Sequence, residues 1–168
     1  MNFKKWLIEN DRIINIHKDI QGEDPVPYFT LNYKNKPIGD FSLGHPGGEN
    51  NTAKRMFPNI IKDNEKVSRI HGIQIDDEYQ NKGLGQLLYL RALDKGDADW
   101  YYNSQTWPPA TNALKTLAAK GYIKLYWQKE PNWNQEGGVH LIRITPKGRQ
   151  AYRIGEMIKK EKFENSTP

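Results

Sequence analysis

One segment of the sequence combines residues suited to hold an anion: a glycine-containing loop between an apolar strand and a helix. The apolar residues of 70–75 predict a strand, and the leucine-rich run that starts near Gly85 predicts a helix. Gly83 and Gly85 let the backbone approach a ligand without obstruction by a Cβ atom. The first N–H groups of the helix have no intrahelical acceptor and lie at the positive end of its dipole. The segment therefore predicts a binding site for a pyrophosphate.

The spacing of this loop differs from that of two other phosphate-binding motifs. A Rossmann fingerprint would need its third glycine at position 88, which is Leu88. A Walker A loop needs a lysine followed by serine or threonine after its glycines, whereas Lys82 comes before them. On the residues alone, the remaining alternative is a glycine-rich turn that binds no ligand.

Residues 80–85, with the sequence QNKGLG, resemble the acyl-CoA-binding signature of the GNAT superfamily of N-acetyltransferases, Gln/Arg-x-x-Gly-x-Gly/Ala. The acidic and aromatic residues 77–79 resemble the lead-in to that signature, and residues 120–122 resemble the Gly-Phe/Tyr that ends a later helix. The resemblance implies acetyl-CoA as a co-substrate. The residues that it places at the cofactor are Ile73, Ile75, Gln80, Asn81, Lys82, Gly83, Leu84, Gly85 and Gln86.

The same resemblance implies an α/β fold: a mixed, mainly antiparallel sheet of six or seven strands flanked by helices. One parallel pair, residues 67–75 beside 100–104, is expected to be joined by the helix from Gly85, because parallel strands need a crossover. In the family these strands diverge, and the acyl arm enters the gap between them. Residues 1–168 then form a single domain, with a cofactor-binding core at 67–145 and a C-terminal helix at 146–163.

The implied reaction is direct transfer of an acetyl group from acetyl-CoA to a primary amine, carried by a small molecule or a protein. Many family members use a tyrosine acid at a position that is Leu117 here, and some use a glutamate base at a position that is Arg69. Neither residue can perform these roles. The remaining candidates are His71, which can exchange a proton near neutral pH, and the tyrosines and serine of the next strand. Those residues are Tyr101, Tyr102 and Ser104.

Composition limits the class of protein. A chain of 168 residues fits one domain, and five Trp, nine Tyr and five Phe provide large side chains for its core. The chain has no cysteine, and its four histidines lie far apart, so that we expect no metal site. Residues 1–10 do not have the long apolar core of a signal peptide, and no run approaches the length of a transmembrane helix, so that we expect a cytoplasmic protein that does not use a membrane. A net charge of +5 suits an anionic ligand; nucleic acid is a less favoured partner.

The remaining pattern predicts the outer elements. Residues 3–9 suit a short helix, 12–17 a first strand, and 28–33 with 38–43 a hairpin. Residues 21–27 and 44–66 read as loops. The gap between the first two strands is too short for the two helices that the family usually has there.

Two other functions stay open at this point. Residues 113–154 resemble the second half of a winged helix, with lysines and arginines near the C-terminus that would contact DNA. The missing catalytic residues also allow a GNAT-like protein that binds without catalysing. The sequence does not identify the acceptor or the oligomeric state.

Overall fold

A computed structural model of the protein describes residues 14–21, 26–44, 51–104, 108–129 and 138–150. The elements within these ranges are β1 (Ile14–Gln21), β2 (Val26–Tyr33), β3 (Lys36–Leu43), α1 (Asn51–Met56), β4 (Val67–Ile75), α2 (Leu84–Lys95), β5 (Trp100–Ser104), α3 (Pro108–Ala119), β6 (Ile123–Lys129) and β7 (Gly138–Ile144). Residues 146–150 begin a further helix. The predicted helix at 3–9 and the remainder of the helix at 146–163 lie outside the described residues.

The strands form one seven-stranded sheet in the order β1-β2-β3-β4-β5-β7-β6. β4 and β5 are parallel, and every other neighbouring pair is antiparallel. Helix α2 makes the crossover between the two parallel strands, as expected for strands that run in the same direction. The predicted mixed sheet with one parallel pair is therefore confirmed.

The first three strands form an antiparallel meander with no helix between β1 and β2. Lys34 and Asn35 connect β2 to β3 with φ of 50° and 64°, the left-handed pair of a type I′ turn. The loop predicted at 21–27 is too long, because Gln21 still pairs with Val26 across the hairpin. Cross-strand pairing thus extends β1 to Gln21 and starts β2 at Val26, beyond the strands that composition alone predicts.

Apolar residues are buried on both faces of the sheet. The face covered by α2 and α3, here called the α2 face, carries the larger core, with Phe29, Leu31, Phe41, Ile70, Leu87, Tyr89, Leu117 and Ile142 among its members. The opposite face, here called the α1 face, carries a smaller core. Its members are Ala53, Phe57, Ile61, Val67, Trp100, Tyr102, Val139 and Leu141.

Helix α1 lies within the segment predicted as a loop at 44–66, so that this prediction was wrong. Ala53, Phe57 and Ile61 recur at intervals of four residues, and all three are buried against the sheet. Phe57 N donates to the Ala53 carbonyl oxygen and Ile61 N donates to the Phe57 carbonyl oxygen, so that α1 and the turn after it place all three on one side.

The two parallel strands are held together where they begin. Lys66 N donates to Asp99 Oδ2 at 2.8 Å, and Asp99 N donates to the Lys66 carbonyl oxygen at 2.9 Å. Beside them, Arg143 Nη1 of β7 lies 2.8 Å from Glu65 Oε2. These contacts tie the amino ends of β4 and β5 to each other and to β7, so that any separation of the strands must occur at their carboxyl ends.

Candidate functional site

The carboxyl ends of β4 and β5 separate and leave a gap in the sheet. The parallel pairing runs from Val67 beside Trp100 to Arg69 beside Tyr102 and stops there. Beyond that point β4 pairs only with β3, and β5 pairs only with β7, within the described residues. The gap therefore opens after Arg69, on the side of β4 that faces β5.

The backbone of β4 presents hydrogen-bonding groups to this gap. Asp76 N donates to the Ile38 carbonyl oxygen at 2.8 Å, which places Asp76 at a hydrogen-bonded position of the antiparallel pair. Because such positions alternate along the strand, the N–H and C=O groups of Ile73 and Ile75 point away from β3, toward the gap. The side chains of both isoleucines pack against the α2-face core.

One extra residue in β4 sets which side chains face α2. Ser42 pairs with Gly72, but the next residue of β3, Leu43, pairs with Ile70, so that His71 has no partner on β3. This is a β-bulge, and it shifts the alternation by one residue. As a result Ile70 and Ile73 contribute to the same face although three positions separate them.

The bulge brings His71 close to Gly44. A Cβ atom at Gly44 would lie 2.7 Å from Nε2 of His71, so that this position leaves no room for a side chain. Gly44 is fixed there by two bonds: its N–H donates to the Arg69 carbonyl at 2.7 Å, and its carbonyl accepts from Ser68 Oγ at 2.7 Å. His71 is exposed beside this contact. An imidazole is thus held on the β3 side of β4, two residues after the parallel pairing with β5 ends.

The glycine loop follows β4 through a short 3₁₀ turn at Asp77–Tyr79. Gln80 Nε2 donates to the Ile75 carbonyl oxygen at 2.9 Å and to Asp77 Oδ1 at 3.0 Å. Asn81 and Gly83 both adopt left-handed backbone conformations, with φ of 60° and 78°. Asparagine and glycine are the residues that tolerate this conformation best. The Gln80 side chain therefore shapes the loop.

Helix α2 begins directly after this loop, with Gly83 as its N-cap and no side-chain cap. The first intrahelical bond runs from Leu87 N to the Gly83 carbonyl oxygen at 3.4 Å, so that the N–H groups of Leu84, Gly85 and Gln86 have no intrahelical acceptor. A Cβ atom at Gly85 would meet only Ile75 Cδ1, at 3.6 Å. Packing does not require glycine there, and the first turn carries no acidic residue. This geometry fits an anionic ligand.

The candidate catalytic residues differ in position and in access. His71 is exposed, whereas Tyr102 is 4% exposed in the α1-face core, opposite Arg69. Ser104 pairs through its backbone with Val139, and its side chain lies outside the described residues. Tyr101 lies elsewhere: its hydroxyl accepts from Ala98 N at 3.2 Å, beside Gly96 at the far end of α2.

Three polar residues near the gap, two buried and one half-buried, were not identified from the sequence. Tyr89 of α2 is 1% exposed, and its aromatic ring packs against Phe41. Asn103 follows Tyr102 and is half-buried, and its cross-strand neighbour His140 is 4% exposed. Burial, together with the charge of Lys115, lowers the pKa of His140. The burial of Tyr89 had one sequence signal, the leucine pattern of α2, which predicts a helix buried around most of its circumference.

Three kinds of feature are not formed by the residues that the structure describes. No group of three or more His, Cys, Asp or Glu side chains is positioned there to hold a metal ion. None of the described helices combines the length and apolar character needed to cross a bilayer. The strands at 123–129 and 138–144 do not form the wing of a winged helix, because β7 lies between β5 and β6 within the large sheet.

Solved structures of other proteins share this architecture. The CoA-dependent acyl-homoserine lactone synthase BjaI, solved with SAM and isopentyl-CoA, matches 80% of this chain and 66% of its own, with 10% identity and a TM-score of 0.56. An acetyltransferase of the GNAT family from Streptococcus pneumoniae matches 70% of this chain and 64% of its own, with 17% identity and a TM-score of 0.43. The chain thus spans just under two thirds of the length of these proteins.

A third similar structure is an aminoglycoside N(6')-acetyltransferase from Legionella pneumophila, which matches 77% of this chain and 69% of its own at 10% identity, with a TM-score of 0.46. At 10% identity, the likeness to BjaI shows the fold alone. No protein-family model and no curated protein matches the sequence.

Proposed function

We propose that this chain, which has the GNAT fold, is an acyl-CoA-dependent N-acetyltransferase that acts on a primary amine. The observation that carries the proposal is the position of the α2 N-terminus beside the gap between β4 and β5. The backbone N–H groups of Leu84, Gly85 and Gln86 would hold the pyrophosphate, and the backbone of Ile73 and Ile75 would hold the pantetheine arm. A loop without a ligand would need neither the gap nor the open first turn.

Acetyl-CoA, when bound, would supply an acyl group activated as a thioester. In the transfer, a C–N bond to the amine forms, the C–S bond breaks, the amine loses a proton and the thiolate gains one. The exposed imidazole of His71, held beside Gly44 and next to Gly72 in β4, is our candidate to accept the proton from the amine. Tyr102 and Ser104 remain weaker candidates for the return of a proton, since Tyr102 is buried.

The α1 face of β4 offers a route for the acceptor amine. A Cβ atom at Gly72 would meet no atom within 4 Å, and Gly72 lies next to His71 on the strand. An amine that approaches over Gly72 would reach the gap from the face opposite α2. Its carrier, a small molecule or a protein, stays a proposal, as does a cytoplasmic location.

Calorimetry with acetyl-CoA, and separately with duplex DNA, tests this function. We expect saturable, one-to-one binding of acetyl-CoA and no comparable binding of DNA. A folded protein that binds DNA but not acetyl-CoA would refute the proposal. An assay of thiol release with a panel of amines and peptides then separates an enzyme from a binding protein. Acetyl-CoA binding without turnover on any acceptor would favour the binding protein.

A further inference from the structure

Tyr89 lies beneath the gap between β4 and β5 on the α2 face. Its ring packs against Phe41 of β3, with ring centroids 5.3 Å apart and planes at 78°. Phe41 pairs with Ile73 of β4, so that this ring is anchored on the β3–β4 side of the gap. The Tyr89 hydroxyl reaches the other side, where it lies beside the Asn103 side chain of β5. One side chain of α2 thus spans the gap.

Asn103 occupies the first position of β5 after the parallel pairing ends. Its neighbour Tyr102 packs in the α1-face core, and because strand residues alternate, Asn103 points to the α2 face. It is half-buried. Tyr89 and Asn103 together therefore form a wall across the start of the gap, here called the end wall.

The end wall is polar, but one of its polar groups, the Tyr89 hydroxyl, lacks a well-formed hydrogen bond within the described part of the chain. The Tyr89 hydroxyl is fully buried, and no group within the described residues bonds to it with good hydrogen-bond geometry. Asn103 is close enough to weaken the effect of burial, but burial dominates and raises the pKa of Tyr89 to about 12. The contact between Tyr89 and Asn103 does not have hydrogen-bond geometry, and such a contact contributes little to stability. The hydroxyl therefore keeps its proton and lies beside Asn103.

An acyl group in the gap can extend toward one of two faces. The α1 face is the side on which Gly72 leaves space for the acceptor, so that an acyl chain pointing there would block the amine. On the α2 face the chain meets the end wall. A longer apolar chain would have to displace a packed aromatic ring and to remove water from the half-buried amide of Asn103, and both are unfavourable.

We propose that Tyr89 and Asn103 determine the length of the acyl group, so that the site accepts acetyl and rejects longer apolar chains. This inference rests on the proposed function, since it concerns the same acyl-CoA. It identifies two specificity-determining residues that lie on α2 and β5, outside the glycine loop.

The test measures the dissociation constants of CoA, acetyl-CoA, butyryl-CoA and hexanoyl-CoA by calorimetry. Wild-type protein should bind hexanoyl-CoA at least tenfold more weakly than acetyl-CoA, because each poorly accommodated methylene in a close-fitting pocket costs about tenfold or more. Tyr89→Leu and Asn103→Ala should each reduce this penalty by about tenfold. The affinity for CoA itself, which has no acyl group, should stay within about twofold of the wild-type value.

Tyr101→Phe is the matched control, because Tyr101 is an equally buried tyrosine whose hydroxyl lies at the far end of α2. Its affinities for acetyl-CoA, butyryl-CoA and hexanoyl-CoA should keep the wild-type ratios. Asn103→Ala keeps the test decisive if Tyr89→Leu does not fold. Variants that bind CoA normally and retain the wild-type profile would overturn the inference, as would a wild type that binds all chain lengths equally. A wild type that binds no CoA would overturn the proposed function, and this inference with it.

Discussion

The side-chain amide nitrogen of Gln80 lies 2.9 Å from the carbonyl oxygen of Ile75, so that the glycine loop is hydrogen-bonded to the strand that precedes it. The same nitrogen lies 3.0 Å from Asp77 Oδ1. These two bonds fix the path of the chain between the end of β4 and the start of α2. Gln80 therefore controls where the first turn of α2 lies relative to the gap.

Gln80→Glu should weaken acetyl-CoA binding by about tenfold. A carboxylate cannot donate to the Ile75 carbonyl and is repelled by Asp77, and loss of one such bond corresponds to about 1 kcal/mol. Calorimetry measures the change. Gln74→Glu is the control, because it adds the same charge at an exposed position of β4. Equal weakening in both variants would mean that charge, rather than the loop bond, is responsible.

Substitutions of the loop glycines should affect acetyl-CoA binding and the stability of the fold differently. Replacing Gly83 and Gly85 together with valine should abolish acetyl-CoA binding, because Cβ branches would occupy the anion site. Gly85→Ala alone should leave the free energy of unfolding unchanged or raise it by up to about 1 kcal/mol, since its Cβ has room and alanine favours a helix. Lys82→Ala should cost less binding than the double change, because backbone amides supply most of the anion contact. Calorimetry and urea unfolding test these expectations, and equal acetyl-CoA affinity in the double variant and wild type would refute the site.

Two buried tyrosines should respond differently to loss of the hydroxyl. Tyr101→Phe removes the acceptor of the Ala98 N–H bond and should lower the free energy of unfolding by about 1 kcal/mol. Tyr89→Phe removes a buried hydroxyl without a well-formed bond and should be neutral or stabilising. Urea denaturation of both variants measures the difference. A larger loss in Tyr89→Phe would show that its contact with Asn103 is a strong hydrogen bond.

His140 should make stability depend on pH. Its pKa is lowered in the folded protein, so that the unfolded chain binds a proton more readily. Its stabilising contribution is therefore complete above the ordinary histidine pKa of about 6.5 and is lost as the pH falls below that value. Urea unfolding between pH 8 and pH 5 should show a smaller loss for His140→Gln than for wild type. The same change at His17, which is exposed, is the control. Parallel curves for wild type and His140→Gln would refute the expectation.

The proton transfers of catalysis should depend on few side chains. If His71 accepts the proton of the amine, His71→Ala should reduce the rate of thiol release by about 10² to 10⁴ with acetyl-CoA affinity retained. Tyr102→Phe and Ser104→Ala test the return of a proton in the same way. Full activity in all three variants would assign proton transfer to solvent or to the substrate.

The parallel pair and its crossover could be predicted, because an apolar strand, a glycine loop and a leucine-rich helix follow one another along the chain. The bulge at His71 was less evident, although Ile70, Ile73 and Ile75 are separated by three and then two residues, a spacing that strict alternation does not produce. Helix α1 was hidden in a polar segment and is revealed only by the interval of four between Ala53 and Phe57.

The end wall could not be predicted from sequence. Tyr89 and Asn103 are close only because α2 packs beneath the gap at one particular position along its axis, and the sequence carries no signal for that position. Likewise, Leu117 shows that the tyrosine acid of many GNAT members is missing here, but the sequence does not show which residue replaces it. Local patterns predict elements, whereas the meeting of two side chains depends on packing between them.

The extra residue His71 also lets β4 tolerate the loss of one residue. Without it, Gly72 would follow Ile70 directly, their pairs with Ser42 and Leu43 would become regular neighbours, and Ile73 and Ile75 would keep their side chains on the α2 face. One residue added between Gly72 and Ile75 would have the opposite effect, because either all residues before it or all residues after it would exchange faces. Substitutions in this strand alter one contact at a time, but a single codon gained there would rearrange the strand, the loop and the first turn of α2 together.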